Sequence, residues 1–422
     1  MSKLRWSCTT ILVISFLLRL GLFVAAKAYK AHDQTETINI ATTLAYRGAF
    51  ADAYGKGMGS TAHAAPLYPM LLSLVFRLAG VREPAGPFAT ASGAAETGMR
   101  LLSSALASIQ FALLPVFAAI CGLDPRIGVA AGLAGALLPV NYWVQNTGSF
   151  EYSLSSLLFL IFSMVVLSCW TKRRFSVRRG MVAGIVTGLL LLTVPNLADV
   201  VLAAAVCGLF LFYKDRGRHY LVFAAVQLVV TALFLAPWAI RNYVALGAPI
   251  WSRSNMGLEL WLSNHEGVAA TFQQNEALGF GTMHPCCDES ERAHMRVVGE
   301  VAYNREKQRL AVAWIRSHLS RFVALTAERA VLFWTPLMLR PWQTAACGAL
   351  GLTGILGLIR FARREGGVVA RYFLMVFVVL PLPLYFFQSS GRLRYPMEWM
   401  LYLMGAYWIF GWFPRKVVGS GK

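Results

Sequence analysis

Residues 152–170, YSLSSLLFLIFSMVVLSCW, contain no charged side chain. As a helix rising 1.5 Å per residue, such a stretch covers roughly 28 Å, close to the hydrocarbon thickness of a bilayer. Glu151 precedes it and Lys172, Arg173 and Arg174 follow it directly, so its ends are marked by charge. Outward from this stretch the pattern repeats. Apolar spans are expected at about 9–28, 101–121, 127–143, 152–170, 180–195, 198–213, 219–236, 342–359, 371–387 and 397–413. The chain has 422 residues, of which 57% are hydrophobic and 14% charged, against roughly 25% charged in a soluble domain. Mean hydropathy is +0.55. These features define an all-α polytopic membrane protein with about ten transmembrane helices, within a range of about nine to thirteen.

The formal net charge of +19 sits largely in short loops, which points to membrane topology and away from nucleic acid. One set of loops carries Lys3 and Arg5, Arg126, the group from Lys172 to Arg179, Lys214 to Arg218, Arg360 to Arg371, and Arg415 with Lys416. The positive-inside rule puts these loops and both termini in the cytoplasm. Residues 1–28 lack a small-residue cleavage site followed by a soluble domain and read as a retained first helix.

Two long segments then lie outside, 29–100 and about 237–341. The expected division is an N-terminal transmembrane module (1–240) containing the first outer loop, a second outer loop (241–341), and C-terminal transmembrane helices (342–422). Pro66–Gly80 is apolar but too short to span and is expected to lie in the interface. The stretch 288–334 is amphipathic and is expected as a solvated helix on the outer surface. No internal repeat is visible, which speaks against a transporter built from related halves.

Several residues could carry chemistry. Asp33 and Glu36 share one face if their segment is helical, and they follow the first span closely. A carboxylate there can act as a general base, or be an exposed charge beside a helix N-terminus. His63 could be a base, a metal ligand or a donor to phosphate, or a hydrogen-bonded histidine. Arg392 and Arg394 stand in a short outer loop against the charge rule, so they are phosphate-binding candidates or interfacial anchors. Arg241 and Asn242, after Pro237, form a second such pair. Arg19 lies inside the first span, with Glu151 or Asp199 as expected partners. Trp251, Trp261, Trp334 and Trp342 suit an interfacial belt. Cys8, Cys121, Cys169, Cys207 and Cys347 read as packing residues, and the adjacent Cys286 and Cys287 are not expected to bridge each other.

The runs TETINIATTLAYRGAF (35–50) and STAHAAPLYPMLLSLVFRLAG (60–80) resemble the first outer loop of GT-C glycosyltransferases. The closer likeness is to family 39, the dolichyl-phosphate-mannose protein mannosyltransferase-like group, with its bacterial aminoarabinose-to-lipid-A relatives. Alignment on Ile40-Ala41 and Gly48 places Asp33 at the family's catalytic Asp and Gln34 at its Glu. Some bacterial members keep a single Glu four before the Ile, where Glu36 stands. Pro66 and Tyr68 match the family's Pro-Leu-Tyr helix, whereas Ala64 and Ala65 replace its Lys and first Pro. AAETGMRLLSSALASIQ (94–110) aligns Arg100 with a family arginine, and GSFEYSLSSLLFL (148–160) aligns Glu151 with an acidic position. APWAIRNYVALGAPI, RSNMGLELWLSN and GRLRYPMEWMLYLMGAYWI resemble later segments of bacterial members.

The resemblance implies a GT-C-like fold with periplasmic interfacial helices and an inverting, lipid-phosphate-sugar-dependent hexosyl- or pentosyltransferase. It implies a bacterial inner-membrane location, a periplasmic site and a polyprenyl-phosphate sugar donor. The acceptor would be a glycan, lipid (as in lipopolysaccharide) or protein. It also implies a divalent metal ion, with His63, Glu151 and a carboxylate as candidate ligands. Substrate and phosphate contacts would come from His63, Tyr68, Arg100, Glu151, Arg241, Asn242, Arg392 and Arg394. The alternatives are a glycan ligase or polymerase, a lipid-carrier flippase or transporter, and a non-catalytic assembly protein.

Overall fold

A computed structural model describes residues 2–25, 35–138, 147–338 and 340–411. Among these the architecture is helical throughout, with no β-strand and two isolated bridges, Ala51 to Ser60 and Thr271 to Ser389. Each expected span has a helix. These are α1 (Ser2–Ala25), α4 (Gly93–Ile120), α5 (Pro125–Leu137), α6 (Tyr152–Thr171), α7 (Val177–Leu191), α8 (Ala198–Leu246), α14 (Pro341–Arg364), α15 (Gly367–Val379) continued by α16 (Pro381–Leu384), and α18 (Glu398–Phe410). Among the described residues six helical segments are long and apolar enough to cross a bilayer alone, and α5 is a shorter apolar helix.

The expected spans 198–213 and 219–236 both fall within α8, whose backbone leaves helical geometry at Arg216 (φ −142°, ψ 20°). In a straight helix residues 205 and 220 would stand roughly 22 Å apart. Here the Tyr220 hydroxyl donates to the Ala205 carbonyl at 2.9 Å. The two arms of α8 therefore fold back on each other at Arg216. α7 lies along the second arm through Gly180, Gly184 and Gly188. A Cβ on these would meet the Phe223 carbonyl at 2.7 Å, Val230 at 2.6 Å and Phe234 at 2.5 Å respectively. In lipid, where apolar burial between helices supplies little force, such close backbone approach is what lets helices pack.

Several buried polar groups inside the bundle find partners locally. Arg19 donates to Ser15 Oγ at 2.5 Å and to the Gly135 carbonyl at 3.4 Å, and lies 5.2 Å from the Phe111 ring centre. The carboxylates expected to accompany it contact other groups: Glu151 pairs with Arg253 and Asp199 accepts from the Val200 amide. Arg394 and Glu398, both buried, pair at 3.2 Å.

The outer layer contains α2 (Glu36–Arg47), α3 (Leu67–Leu78), α9 (Met256–Ser263), α10 (Phe272–Ala277), α11 (Glu289–Val298), α12 (Glu300–Ser317), α13 (Leu319–Trp334) and α17 (Gly391–Arg394). The expected single amphipathic helix over 288–334 is three helices. Gly299, at φ 83°, separates α11 from α12, and His318 separates α12 from α13. Nor is the stretch only a wet face, since Tyr303, Asn304 and Lys307 of α12 are buried. α3 is the expected short apolar helix, and Arg77 on it donates to the Leu44 and Ala45 carbonyls at 2.9 and 3.2 Å. Those carbonyls lie in the last turn of α2, where the Leu44 carbonyl also accepts from the Gly48 amide at 3.2 Å.

Gly184→Leu forces a branched side chain into Val230 and the Gln227 carbonyl, 2.6 and 2.8 Å from the Cβ position. The expected outcome is a destabilisation of about 1–3 kcal/mol, read as a lowered thermal midpoint in detergent, with Gly184→Ala affected less.

Candidate active site

The site is assembled around the start of α2. Thr35, extended at φ −105° and ψ 153°, caps the helix by accepting from the Ile38 amide at 3.3 Å. Glu36 is thus the first helical residue, at the positive end of the helix dipole. Asp33 and Gln34 lie outside the described residues.

The loop that follows is held by two charged groups from the second outer segment. Glu300, at the start of α12, accepts from the Ala62 amide at 2.8 Å, the Ser254 hydroxyl at 2.6 Å and the Thr61 hydroxyl. Arg241, near the end of α8, donates to the Thr61 carbonyl at 2.6 Å and to the Phe50 carbonyl, and its guanidinium lies 5.0 Å from the Trp238 ring centre. Asn242 donates to the Ile250 carbonyl at 2.7 Å. Arg241 and Asn242 therefore brace backbone around the site.

A cavity of about 720 Å³ opens beside Glu36. Its polar wall includes Glu151, Tyr152, Arg253, Asn255, Glu259 and Arg392, and its apolar wall includes Val194, Ile250, Leu384, Phe387 and Leu393. Arg253 pairs with Glu151 at 3.7 Å and donates to Asn255 Oδ1 at 2.8 Å, while Asn255 donates to Glu259 at 3.0 Å. Arg392 sits over Phe150 and Phe272, at 5.4 and 5.1 Å from the ring centres. Glu36 is near enough to feel this wall. Burial pushes its carboxyl above the usual range, with Glu259 adding to the rise, while Arg392 and Arg253 oppose it.

On the other side of Glu36 stand two residues the sequence reading did not select. His284, Cys286 and Glu36 bring one donor atom each to within 4.8 Å of one another. Burial lowers the His284 pKa to about 3, so the imidazole is neutral, and its Nδ1 accepts from the Cys286 amide at 3.0 Å. Burial raises the Cys286 thiol. The spacing His284-Pro-Cys286 was the available signal, because a His two residues from a Cys can offer two ligands from one turn. Their third partner lies some 250 residues earlier, which spacing cannot disclose. An imidazole nitrogen, a sulfur and a carboxylate oxygen suit a borderline-soft divalent ion.

His63 is buried and its Nδ1 hydrogen-bonds the Tyr54 hydroxyl at 2.8 Å. Tyr54 also packs edge-on to His284, 5.5 Å between ring centres, so His63 stands behind this group. Tyr68 donates to the Gly148 carbonyl, just before Glu151. Arg100 lies in α4, paired with Glu96 at 2.6 Å and over the Phe23 ring at 5.1 Å. Arg394 turns inward to Glu398 and donates to the Trp334 carbonyl at 2.7 Å. Of the residues selected from sequence, Glu151 and Arg392 line the cavity, and Glu36 lies close enough to interact electrostatically with Arg392, Arg253 and Glu259 in its wall.

No known family's sequence profile matches the chain, and no characterised protein matches it in sequence. Solved structures of the Archaeoglobus fulgidus oligosaccharyltransferase do share its fold. The form tethered to an acceptor peptide containing the NVT sequon matches with a TM-score of 0.55 and 13% identity, covering 95% of this chain and 49% of that one. The complex with zinc and sulfate gives 0.54, 13%, 94% and 48%. The AglB complex with an inhibitory peptide and a dolichol-phosphate gives 0.55, 13%, 95% and 50%. The chain spans about half the length of that enzyme. Its fold is thus the expected helical, polytopic one, shared with that enzyme.

Removing the Glu300 carboxylate leaves the Ala62 amide and two hydroxyls without their shared acceptor. Glu300→Ala is expected to cost about 1.5–3 kcal/mol and to raise amide hydrogen exchange across residues 50–62 while leaving exchange in α14 and α18 unchanged. Uniform protection in both regions would show that Glu300 does not tie the loop.

Proposed function

We propose that this chain is a membrane glycosyltransferase that moves a sugar from a polyprenyl-phosphate carrier to an acceptor at the outer face of a bacterial inner membrane. The observation that supports it most is a largely apolar cavity whose wall carries Arg392 and Arg253, both close enough to act on the Glu36 carboxylate. A lipid-linked phosphosugar needs that combination. Val194, Leu384, Phe387 and Leu393 suit the isoprenoid, and the arginines suit the phosphate. The shared fold with an enzyme solved with dolichol-phosphate supports the same donor class.

In this reading the acceptor hydroxyl or amine attacks the anomeric carbon from the side opposite the phosphate. Its proton passes to a carboxylate at the start of α2. The bond between anomeric carbon and phosphate oxygen breaks, and the electron pair leaves with the polyprenyl phosphate, whose charge Arg392 and Arg253 balance. Single displacement gives inversion. Glu36 fits the base: partial burial raises its proton affinity, and Arg392 keeps the ionised form accessible.

A divalent ion also fits here, held by Glu36, His284 and Cys286. His284 is already neutral, and a bound cation favours the thiolate. Such an ion, when bound, would supply positive charge to offset the negative charge of a phosphate. With Glu36 so engaged, Asp33 is the carboxylate left to take the acceptor's proton, as the family resemblance implies.

In nanodiscs loaded with a panel of polyprenyl-phosphate sugars, release of polyprenyl phosphate is expected from the wild-type chain. It should fall by about 10²–10⁴-fold in Glu36→Gln and in Asp33→Asn combined with Glu36→Gln. A folded double variant that turns over normally rules out the α2 carboxylates. The wild-type rate should rise with pH as Glu36 loses its proton. Arg392→Gln removes a charge that favours the carboxylate, so the acid limb should move to higher pH. An unmoved limb would separate Arg392 from the base.

A further inference from the structure

A second hollow, of about 680 Å³, lies at the far ends of the helices from the candidate site. Glu151, in the wall of the active-site cavity, begins α6, and its last residue, Thr171, is separated from Tyr152 by about 30 Å of helix. The hollow sits just beyond Thr171. It is lined by Arg173, Arg174, Arg178, Arg179, Arg216 and His219. Between Tyr152 and Ile250 the chain has two acidic residues, Asp199 and Asp215. Asp215 pairs with Arg173 at 2.6 Å, and Asp199 belongs to the other end of α8, in the wall of the active-site cavity. One local carboxylate thus faces five guanidinium groups.

Ordinary positive-inside loops spread their charge along the membrane surface. Here the charges are gathered into a concavity by two backbone features. Arg173 adopts φ 47°, which turns the α6–α7 connection back, and the break at Arg216 makes the sharp bend between the arms of α8. The Arg179 guanidinium donates to the Arg174 carbonyl at 2.7 Å and holds that turn. Above the basic rim the surface is apolar. On α7, Val177, Met181 and Val182 are 53%, 47% and 44% exposed, and on the second arm of α8 Leu221 and Val222 are 51% and 43% exposed.

We infer that this hollow binds the phosphate headgroup of an anionic phospholipid, with the acyl chains lying along α7 and the second arm of α8. The charge selects an anion, and the apolar strip leading from it selects a lipid over a soluble phosphate. The site is separate from the proposed donor cavity and does not rest on the glycosyltransferase reading.

The test uses the full purified chain in a neutral detergent, with its thermal midpoint followed during titration. Phosphatidylglycerol is expected to raise the midpoint, while phosphatidylcholine and glycerol 1-phosphate at equal concentration leave it in place. The apparent affinity for phosphatidylglycerol should weaken about tenfold or more in Arg174→Gln/Arg178→Gln/Arg216→Gln, and much less in the triple Lys variant. If the Gln variant does not fold, salt decides with the wild-type chain, because about 0.5 M NaCl should suppress an ionic headgroup contact. Equal shifts with both lipids, an unchanged triple Gln variant, or a shift that survives high salt would overturn the inference. A full effect of glycerol 1-phosphate alone would assign the hollow to soluble anions and overturn it as a lipid site.

Discussion

The carboxylate of Glu300 is the contact on which the outer half of this protein depends. It joins three chain segments far apart in sequence: the loop at Thr61 and Ala62, the turn at Ser254, and α12 itself. A charged acceptor shared by a backbone amide and two hydroxyls is worth more than neutral bonds and is expensive to leave unmatched. Arg241 completes the clamp by drawing the Thr61 and Phe50 carbonyls toward α8. Together they fix the loop of residues 50–62, which follows α2.

Beneath this layer several buried polar groups of the membrane helices pair within the bundle. Arg394 has Glu398 and the Trp334 carbonyl; Ser163 meets the Tyr372 hydroxyl at 2.7 Å. In hydrocarbon such partners are needed, since water cannot supply them.

The electrostatics at Glu36 are a contest between terms. Burial disfavours the carboxylate, and Glu259 adds to that; the helix start, Arg392 and Arg253 favour it. Desolvation wins, so the group holds its proton more tightly than an exposed glutamate. That balance makes a better base, and it also makes a group whose protonation answers to each neighbour. His284 shows the opposite case. Burial there is reinforced by the nearby charge of Arg392, and both favour the neutral ring.

The sequence alone determined the membrane class and the positions of the apolar helices, because bilayer thickness imposes a length and composition that any window reveals. Residues 152–170 and α6 agree to within a residue or two at each end. It could also mark Glu36, Glu151 and Arg392 as unusual. Only the tertiary structure decided that Arg392 faces the cavity while Arg394, two residues on, is buried against Glu398. It likewise decided that Arg241 braces a loop, and that His284 and Cys286 meet Glu36. The physical reason is the same in each case. Burial and pairing are set by contacts between segments tens to hundreds of residues apart, and local pattern carries no record of which segments will touch.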